Sequence, residues 1–174
     1  TGADFGLGRF VAGVMTGYDS RENSTVYNSG EISVTGGTDT YGMYLGSAAH
    51  LDNRGTITVS APVFATGIFL PSATGDQIDN SGTITVITPA DGDYYSVGIA
   101  FETMAQQDAT ANGLTIRNSG TIRADIALYS IDLSIAGVAE TLLNSGTVDG
   151  GVWIEHMLMT ATGRFGWHLR NSST

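Results

Sequence analysis

The chain has 174 residues, a formal net charge of −10 and no cysteine, and its seven basic residues are all arginine. The absence of cysteine excludes a disulfide framework and thiol chemistry, and the acidic charge argues against nucleic acid or an anionic membrane surface as a partner. An apolar content of 41% indicates a globular chain with a packed core, and no apolar run is long enough for membrane insertion.

A short phrase recurs along the chain, and its clearest copy is Asn80-Ser81-Gly82-Thr83-Ile84. Each copy has an aliphatic residue two positions before the Asn, and each of the first five copies has another four positions after it. Asn and Gly both tolerate the left-handed backbone region, so the phrase predicts a tight corner. The alternating β-branched residues around it predict strands. The Asn residues are Asn28, Asn53, Asn80, Asn118, Asn144 and Asn171, separated by 25, 27, 38, 26 and 27 residues.

A second phrase lies between these copies and places an aliphatic residue after Gly or Asp. Its copies are Gly13-Val14-Met15, Gly42-Met43-Tyr44-Leu45, Gly67-Ile68-Phe69-Leu70, Gly98-Ile99-Ala100-Phe101, Asp125-Ile126-Ala127-Leu128 and Gly151-Val152-Trp153-Ile154. Each unit therefore holds about three short strands, and a unit of this size cannot bury its own apolar face, so neighbouring units must stack. Most units are too short for a propeller blade of roughly 40 residues, and their length favours a parallel β-helix.

We therefore predict an all-β chain, a parallel β-helix (solenoid) of about six coils, in which residues 1–174 form one segment of a longer solenoid. Stacked coils lie about 4.8 Å apart, so equivalent residues should form columns. One inward column precedes the Asn residues: Val26, Leu51, Ile78, Ile116, Leu142 and Leu169. A second follows them: Ile32, Ile57, Ile84, Ile122 and Val148. A third belongs to the second phrase: Met43, Ile68, Ile99, Ile126 and Val152. An outward column should hold Thr56, Thr83, Thr121 and Thr147.

These phrases resemble the passenger regions of bacterial autotransporter proteins over nearly the whole chain, from about Val11 to Ser172. The resemblance implies a right-handed parallel β-helix that is secreted or displayed at the bacterial cell surface. It implies no particular activity, because passengers include adhesins, proteases, esterases and plain stalks. No nucleophile signature of a protease or lipase is present to be transferred to residues of this chain.

Two pairs of carboxylates are candidates for chemistry. Asp52 and Asp79 precede equivalent Asn residues, so they should stack on one face, as the paired carboxylates of polysaccharide-cleaving enzymes must. Arg117 continues their column, so we expect an ion pair with Asp79 instead of an acidic cluster. Asp91 and Asp93 lie in a loop without the other oxygen ligands of a calcium site, and a solvated turn is expected there.

The histidines give no evidence for a metal site or an acid–base pair. Glu155 and His156 are adjacent, and strand alternation sends adjacent side chains to opposite faces. His50 and His168 each lie three residues before an Asn, which indicates repeat positions. We expect no catalytic, cofactor-binding or metal-binding residue in the chain.

The aromatic residues of the second phrase indicate a contact surface. Tyr44, Phe69 and Trp153 each follow an inward aliphatic residue and should point outward, together with Ala100 and Ala127. Tyr44 over Phe69 would form an exposed apolar strip, of the kind that often marks an interaction site. The alternative is that the loop beginning at Ser60 covers these rings with Pro62 and Phe64.

The sequence predicts a structural or adhesive β-helical segment of a secreted bacterial surface protein, with no catalytic site of its own. A carbohydrate-active β-helix enzyme and a head-to-tail filament subunit are the alternatives. The expected partners are a surface carbohydrate, a protein ligand, or a second copy bound through the open ends of the helix. Neither terminal run carries an evident cap, and uncapped strand edges favour pairing with a neighbouring molecule.

Overall fold

In the computed structural model, the described residues are 3–4, 10–16, 24–46, 49–71, 75–89, 94–103, 114–132, 141–156 and 168–171. Every regular element among them is a strand, and none of them belongs to a helix that could span a membrane. The strands, in chain order, are β1 (Ala3–Asp4), β2 (Phe10–Met15), β3 (Ser24–Asn28), β4 (Glu31–Thr35), β5 (Asp39–Tyr44), β6 (Ala49–Asn53), β7 (Thr56–Ser60), β8 (Phe64–Leu70), β9 (Gln77–Asn80), β10 (Thr83–Ile87), β11 (Ser96–Thr103), β12 (Thr115–Asn118), β13 (Thr121–Asp132), β14 (Thr141–Asn144), β15 (Thr147–His156) and β16 (His168–Asn171).

The strands form a parallel solenoid with three faces. The corner face is the six-stranded sheet β16-β14-β12-β9-β6-β3, in which each strand ends at an Asn. The threonine face contains β4, β7, β10 and the first part of β13, and the aromatic face contains β2, β5, β8, β11 and the second part of β13. Both faces belong to one ten-stranded sheet because β13 runs through both, and β15 follows it along its whole length. The prediction of an all-β parallel β-helix is confirmed.

The first two inward columns and the threonine column lie where the repeats predict them. Leu51, Ile78 and Ile116 are fully buried in one column, and Ile57, Ile84 and Ile122 are fully buried in the next. Their registers pair each residue with its equivalent in the next coil. The threonines alternate with these isoleucines and are half-buried or exposed on the outside: Thr56, Thr83, Thr121 and Thr147.

The third column differs from the prediction at two positions: Leu128 replaces Ile126, and Val152 is 46% exposed instead of buried. Leu128, and not Ile126, pairs with Ile99 below it and with Val152 above it. The register shifts between Arg123 and Ile126 and again before Leu128, so this coil contains an irregularity that sequence alignment of the phrases misses. Ala127 lies opposite Gly98, at the position where most copies of the second phrase have glycine. A Cβ built on Gly98 would lie 2.5 Å from the carbonyl oxygen of Ala127.

The number of coils is smaller than predicted, with about four turns in place of six. Asn28, Asn53, Asn80, Asn118 and Asn144 define four complete turns from the first of these five residues to the last. The units at the two ends add only part of a turn to the described structure: β2 joins the aromatic face alone, and β16 joins the corner face alone.

The corner asparagines form a buried amide ladder along the solenoid. Each Nδ2 donates to the Oδ1 of the Asn in the next coil, at 2.8 Å from Asn28 to Asn53 and at 2.7 Å in each of the following three steps. A second Nδ2 hydrogen bond reaches the carbonyl oxygen of the corner glycine, as from Asn144 to Gly146 at 3.1 Å. Buried polar groups are stable only when they are hydrogen-bonded, and this ladder satisfies them coil by coil.

The corner glycines are required for a reason other than the one inferred from sequence. The described glycines with positive φ are Gly36, Gly37, Gly75 and Gly150, and none belongs to the corner phrase. Instead, a Cβ on Gly82 would overlap the carbonyl oxygen of Gly55 in the coil below. The expectation of a left-handed corner is therefore wrong at these positions, and the constraint is the close approach of stacked backbones.

The N-terminal run contributes a short antiparallel strand. Ala3 and Asp4 of β1 pair with Ala12 and Val11 of β2, at the outer edge of the aromatic face. This pairing corrects, for the N-terminal run, the expectation that neither terminal run carries an evident cap, because β1 occupies part of an otherwise unpaired edge.

Candidate functional site

The aromatic face carries an outward row of residues in which most side chains are rings. The strand register places Met15, Tyr44, Phe69, Ala100, Tyr129 and Trp153 opposite one another in successive coils. Tyr44 and Phe69 therefore lie in the row that the sequence predicts, and Trp153 lies at its far end. Ala127 does not belong to this row. Tyr129 takes its place, because the irregularity in β13 shifts the register by two residues.

The lower half of the row is a continuous cluster of rings. Tyr44 and Phe69 make an edge-to-face contact with centroids 5.3 Å apart. Phe10 and Tyr41 join them, at 5.5 Å from Phe10 to Tyr44 and 5.5 Å from Tyr41 to Phe69. Such pairs contribute roughly 0.5–1.5 kcal/mol each beyond the area they bury. The cluster holds the rings in fixed positions while leaving Tyr44 and Phe69 half-exposed.

The loop that begins at Ser60 leads into Phe64, whose ring contacts the ring of Tyr94 with centroids 5.2 Å apart. Phe64 is 49% exposed, and Pro62 is also exposed. Tyr44 and Phe69 make ring contacts with the neighbouring rings of their own cluster. At the other end of the row, Trp153 is 47% exposed and meets Tyr129 at 6.2 Å.

A groove of about 420 Å³ lies between the two halves of the row. Phe69 borders it on one side, and Tyr129 and Trp153 border it on the other. The residue between Phe69 and Tyr129 in register is Ala100, a short side chain where the neighbouring coils have rings. Tyr95, which is 54% exposed, also lines the groove.

Two carboxylates, Asp39 and Glu102, lie on the same groove. Burial raises the pKa of Glu102 above its ordinary value. Burial also raises the pKa of Tyr41 to about 12, with added effects from Asp39, Tyr44 and Glu102. The Tyr41 phenol therefore stays protonated at neutral pH and can donate a hydrogen bond next to these two acceptors.

The corner face holds the carboxylates that the sequence analysis weighed for catalysis. Asp52 and Asp79 are register neighbours on a groove of about 600 Å³. Asp52 accepts a hydrogen bond from Arg54 at 2.6 Å, and Asp79 lies 3.5 Å from Arg117, which confirms the predicted ion pair.

These bonds keep Asp79 ionised. Burial by itself would raise its pKa, but hydrogen bonds from His50 at 3.1 Å and Gln77 at 2.5 Å, together with the charge of Arg117, lower it below the ordinary value. A general acid needs a raised pKa, so this carboxylate is not prepared to protonate a leaving group. The position of His50 is a repeat position, opposite Gln77 in the next coil.

The remaining candidates lie wholly or partly outside the described residues. Asp91 and Asp93 are outside them, and so are the side chains of Glu155 and His156. Among the residues that the structure does describe, no group of three or more His, Asp or Glu is arranged to hold a metal ion. Tyr129, Asp39 and Glu102 are not among the residues predicted from the sequence. The alternation of β13 and β11 could have indicated Tyr129 and Glu102 as outward-facing.

Comparison with known proteins identifies the fold family. The family model described as the BigA third pectate lyase-like domain matches residues 8–149. This is a β-helix fold from a bacterial surface protein, and the match includes the described strands from β2 to β14. No curated protein and no solved structure matches the chain.

Proposed function

The chain belongs to the BigA third pectate lyase-like domain family, and we propose that it is an adhesive β-helical segment secreted to the bacterial surface, in the manner of an autotransporter passenger. Its stacked coils act as a rigid stalk, and the aromatic row on one flank makes the contact. Neighbouring coils bury one another's columns, so the flank keeps its shape without a further domain beneath it.

The observation that carries this proposal is the outward row of rings on the aromatic face. Tyr44 and Phe69 remain half-buried although each follows a buried apolar residue, and Trp153 is 47% exposed. Soluble proteins seldom leave contiguous aromatic surface open unless it contacts a partner. Aromatic side chains also supply much of the binding energy at protein surfaces, because they bury a large area with few rotatable bonds.

An adhesion assay tests the proposal. Beads coated with the purified chain are expected to adhere to immobilised bacterial cells or to cultured animal cells above the level of uncoated beads. The triple variant Tyr44→Ala/Phe69→Ala/Trp153→Ala should reduce adhesion about five-fold or more.

The matched control is Tyr27→Ala. Tyr27 is 72% exposed and lies on the corner face, so this variant removes an exposed ring away from the aromatic row. Circular dichroism verifies that each variant keeps its β-structure. Equal adhesion of the triple variant and the wild type, or no adhesion of the wild type to either surface, would contradict the proposal.

A further inference from the structure

We propose that the groove between Phe69 and Tyr129 binds an uncharged oligosaccharide, with the rings contacting the sugar faces and Glu102 and Asp39 accepting hydrogen bonds from its hydroxyl groups. This inference rests on the proposed function and names the class of ligand for part of the aromatic row.

The groove provides apolar surfaces at the spacing of the coils. Phe69, Ala100 and Tyr129 occupy consecutive coils in register, and stacked coils are about 4.8 Å apart. The two rings are therefore two coil steps apart, with the small side chain between them. A sugar unit has roughly the length of one coil step, so a short chain of sugars lying along the solenoid axis can place an apolar C–H face near each ring.

The polar groups of the groove are suited to the hydroxyl groups of a sugar. Hydroxyl groups are hydrogen-bond donors, and a carboxylate that accepts from them forms a stronger bond than a neutral acceptor does. Asp39 and Glu102 supply such acceptors, and the protonated Tyr41 phenol close to them supplies both a donor and an acceptor. A wholly apolar ligand would leave these groups without partners, which costs free energy.

The charge distribution argues against an acidic polysaccharide in this groove. Within the described part of the chain, no arginine lies at ion-pair distance from Asp39 or Glu102. Arg54, Arg117 and Arg123 instead pair with Asp52, Asp79 and Asp149 on the other two faces. Together with the net charge of −10, this arrangement repels a polyuronate from the aromatic face.

Isothermal titration with defined oligosaccharides tests the inference on the whole chain. The probes are cellohexaose and chitohexaose as uncharged chains, polygalacturonate as an anionic chain, and an oligolysine peptide as a cationic ligand. We expect binding of at least one uncharged chain and none of polygalacturonate. Tyr129→Ala and Phe69→Ala should each weaken that binding about ten-fold.

Two further variants distinguish a loss of binding at the groove from a general effect on folding. Glu102→Gln keeps the shape of the side chain but removes its charge, and it should weaken binding about five-fold without lowering the unfolding temperature. Tyr27→Ala removes an exposed ring from the corner face and should leave the affinity unchanged. Loss of affinity in the two ring variants and in Glu102→Gln, but not in Tyr27→Ala, supports the proposed groove.

Other outcomes overturn it. Adhesion of the coated beads without binding of either uncharged chain contradicts the ligand class while leaving the adhesive function intact. Binding of polygalacturonate or oligolysine in place of the uncharged chains also contradicts it. Equal weakening by Tyr27→Ala and Tyr129→Ala would show that the sugar binds outside the groove.

Discussion

Single residues of the corner phrase are fixed by the distance between coils. Asn contributes an amide that both donates and accepts, so one residue type can continue a hydrogen-bonded column through every coil. Glycine is needed because the backbone of one corner lies directly against the backbone of the next. The two constraints have the same origin, which is the tight stacking of identical corners.

The close approach of stacked corner glycines predicts that an alanine there is destabilising, and another corner glycine serves as the control. Gly82→Ala would place a methyl group against the Gly55 carbonyl oxygen, which belongs to backbone and cannot move aside. We expect it to reduce the free energy of unfolding by about 3 kcal/mol, at the upper end of the range for overpacking. The measurement is urea unfolding followed by circular dichroism.

Gly30→Ala is the control, because it makes the same change at the equivalent position of the first corner. A Cβ there would meet nothing within 4 Å, and the residue does not have positive φ. We expect its effect to be within about 0.5 kcal/mol of the wild type. If both variants lose stability equally, the requirement lies in backbone conformation and not in stacking.

The ionised state of Asp79 predicts how stability depends on pH. Its pKa in the folded chain is below the ordinary value of 3.8, so the unfolded chain takes up a proton first as the pH falls. The stabilisation is present above pH 3.8 and is lost as the pH falls through the lower folded value. Asp79→Asn should therefore show a smaller drop in unfolding temperature than the wild type between pH 5 and about 2.5.

The control for this experiment is Asp149→Asn, which changes another ion-paired carboxylate whose partner is Arg123. Asp149 is 57% exposed, so its pair with Arg123 should contribute little. We expect its pH profile to follow the wild type. A profile of Asp79→Asn that coincides with the wild type would mean that His50, Gln77 and Arg117 do not favour the ionised form.

At the scale of elements, each strand of the threonine face separates core from solvent by alternation. In β10, Ile84 and Val86 are buried, whereas Thr83 and Thr85 lie on the outside. The core is thin at this place: a Cβ on Gly67 of the aromatic face would lie 2.6 Å from a methyl group of Ile84. The inward side chains of β10 therefore pack against the aromatic face as well as within the threonine face. A disruptive substitution at one of them should also destabilise the neighbouring coils.

Ile84→Asp tests this dependence. The substitution buries a carboxylate without a partner, which is among the most destabilising single changes. We expect the loss of cooperative unfolding and of most of the β-sheet signal in circular dichroism.

Thr85→Asp introduces the same residue one position along the strand. Thr85 lies opposite Arg123, so an outward carboxylate there is near a positive charge. We expect its unfolding temperature to stay within a few degrees of the wild type. Equal damage from the two substitutions would contradict the assignment of inward and outward sides.

At the scale of the whole molecule, the described sheets end in strands with a free edge. No strand lies beyond β3 in the corner face or beyond β4 in the threonine face within the described residues. Backbone groups on such an edge can pair with another chain. A second copy bound there would make a head-to-tail contact that does not close, so it would extend into a filament.

Self-association is therefore expected to rise with concentration in light scattering. The Gly36 N–H bonds to the neighbouring coil, so alternation turns the Ser33 N–H towards the free edge. Ser33→Pro removes that donor without breaking a bond to β7, and it should reduce association while leaving the circular dichroism spectrum unchanged. A monomeric wild type at high concentration would contradict this prediction.

The repeated phrases by themselves determined the parallel solenoid, two of its inward columns and the outward position of Tyr44, Phe69 and Trp153. They could do so because strand alternation and coil stacking are local and repeat at every copy. Only the tertiary structure decided that Tyr129 takes the place of Ala127, since the irregularity in β13 depends on how that coil crosses from one face to the next.

The groove likewise required the folded chain. Asp39 and Glu102 lie 63 positions apart in the sequence, and they line the same groove because their coils stack. The reason for the corner glycines also became visible only there, because the close approach is between coils and not within one. A sequence motif shows which residue type a position requires. The neighbouring residue that causes this requirement is determined by the register between coils.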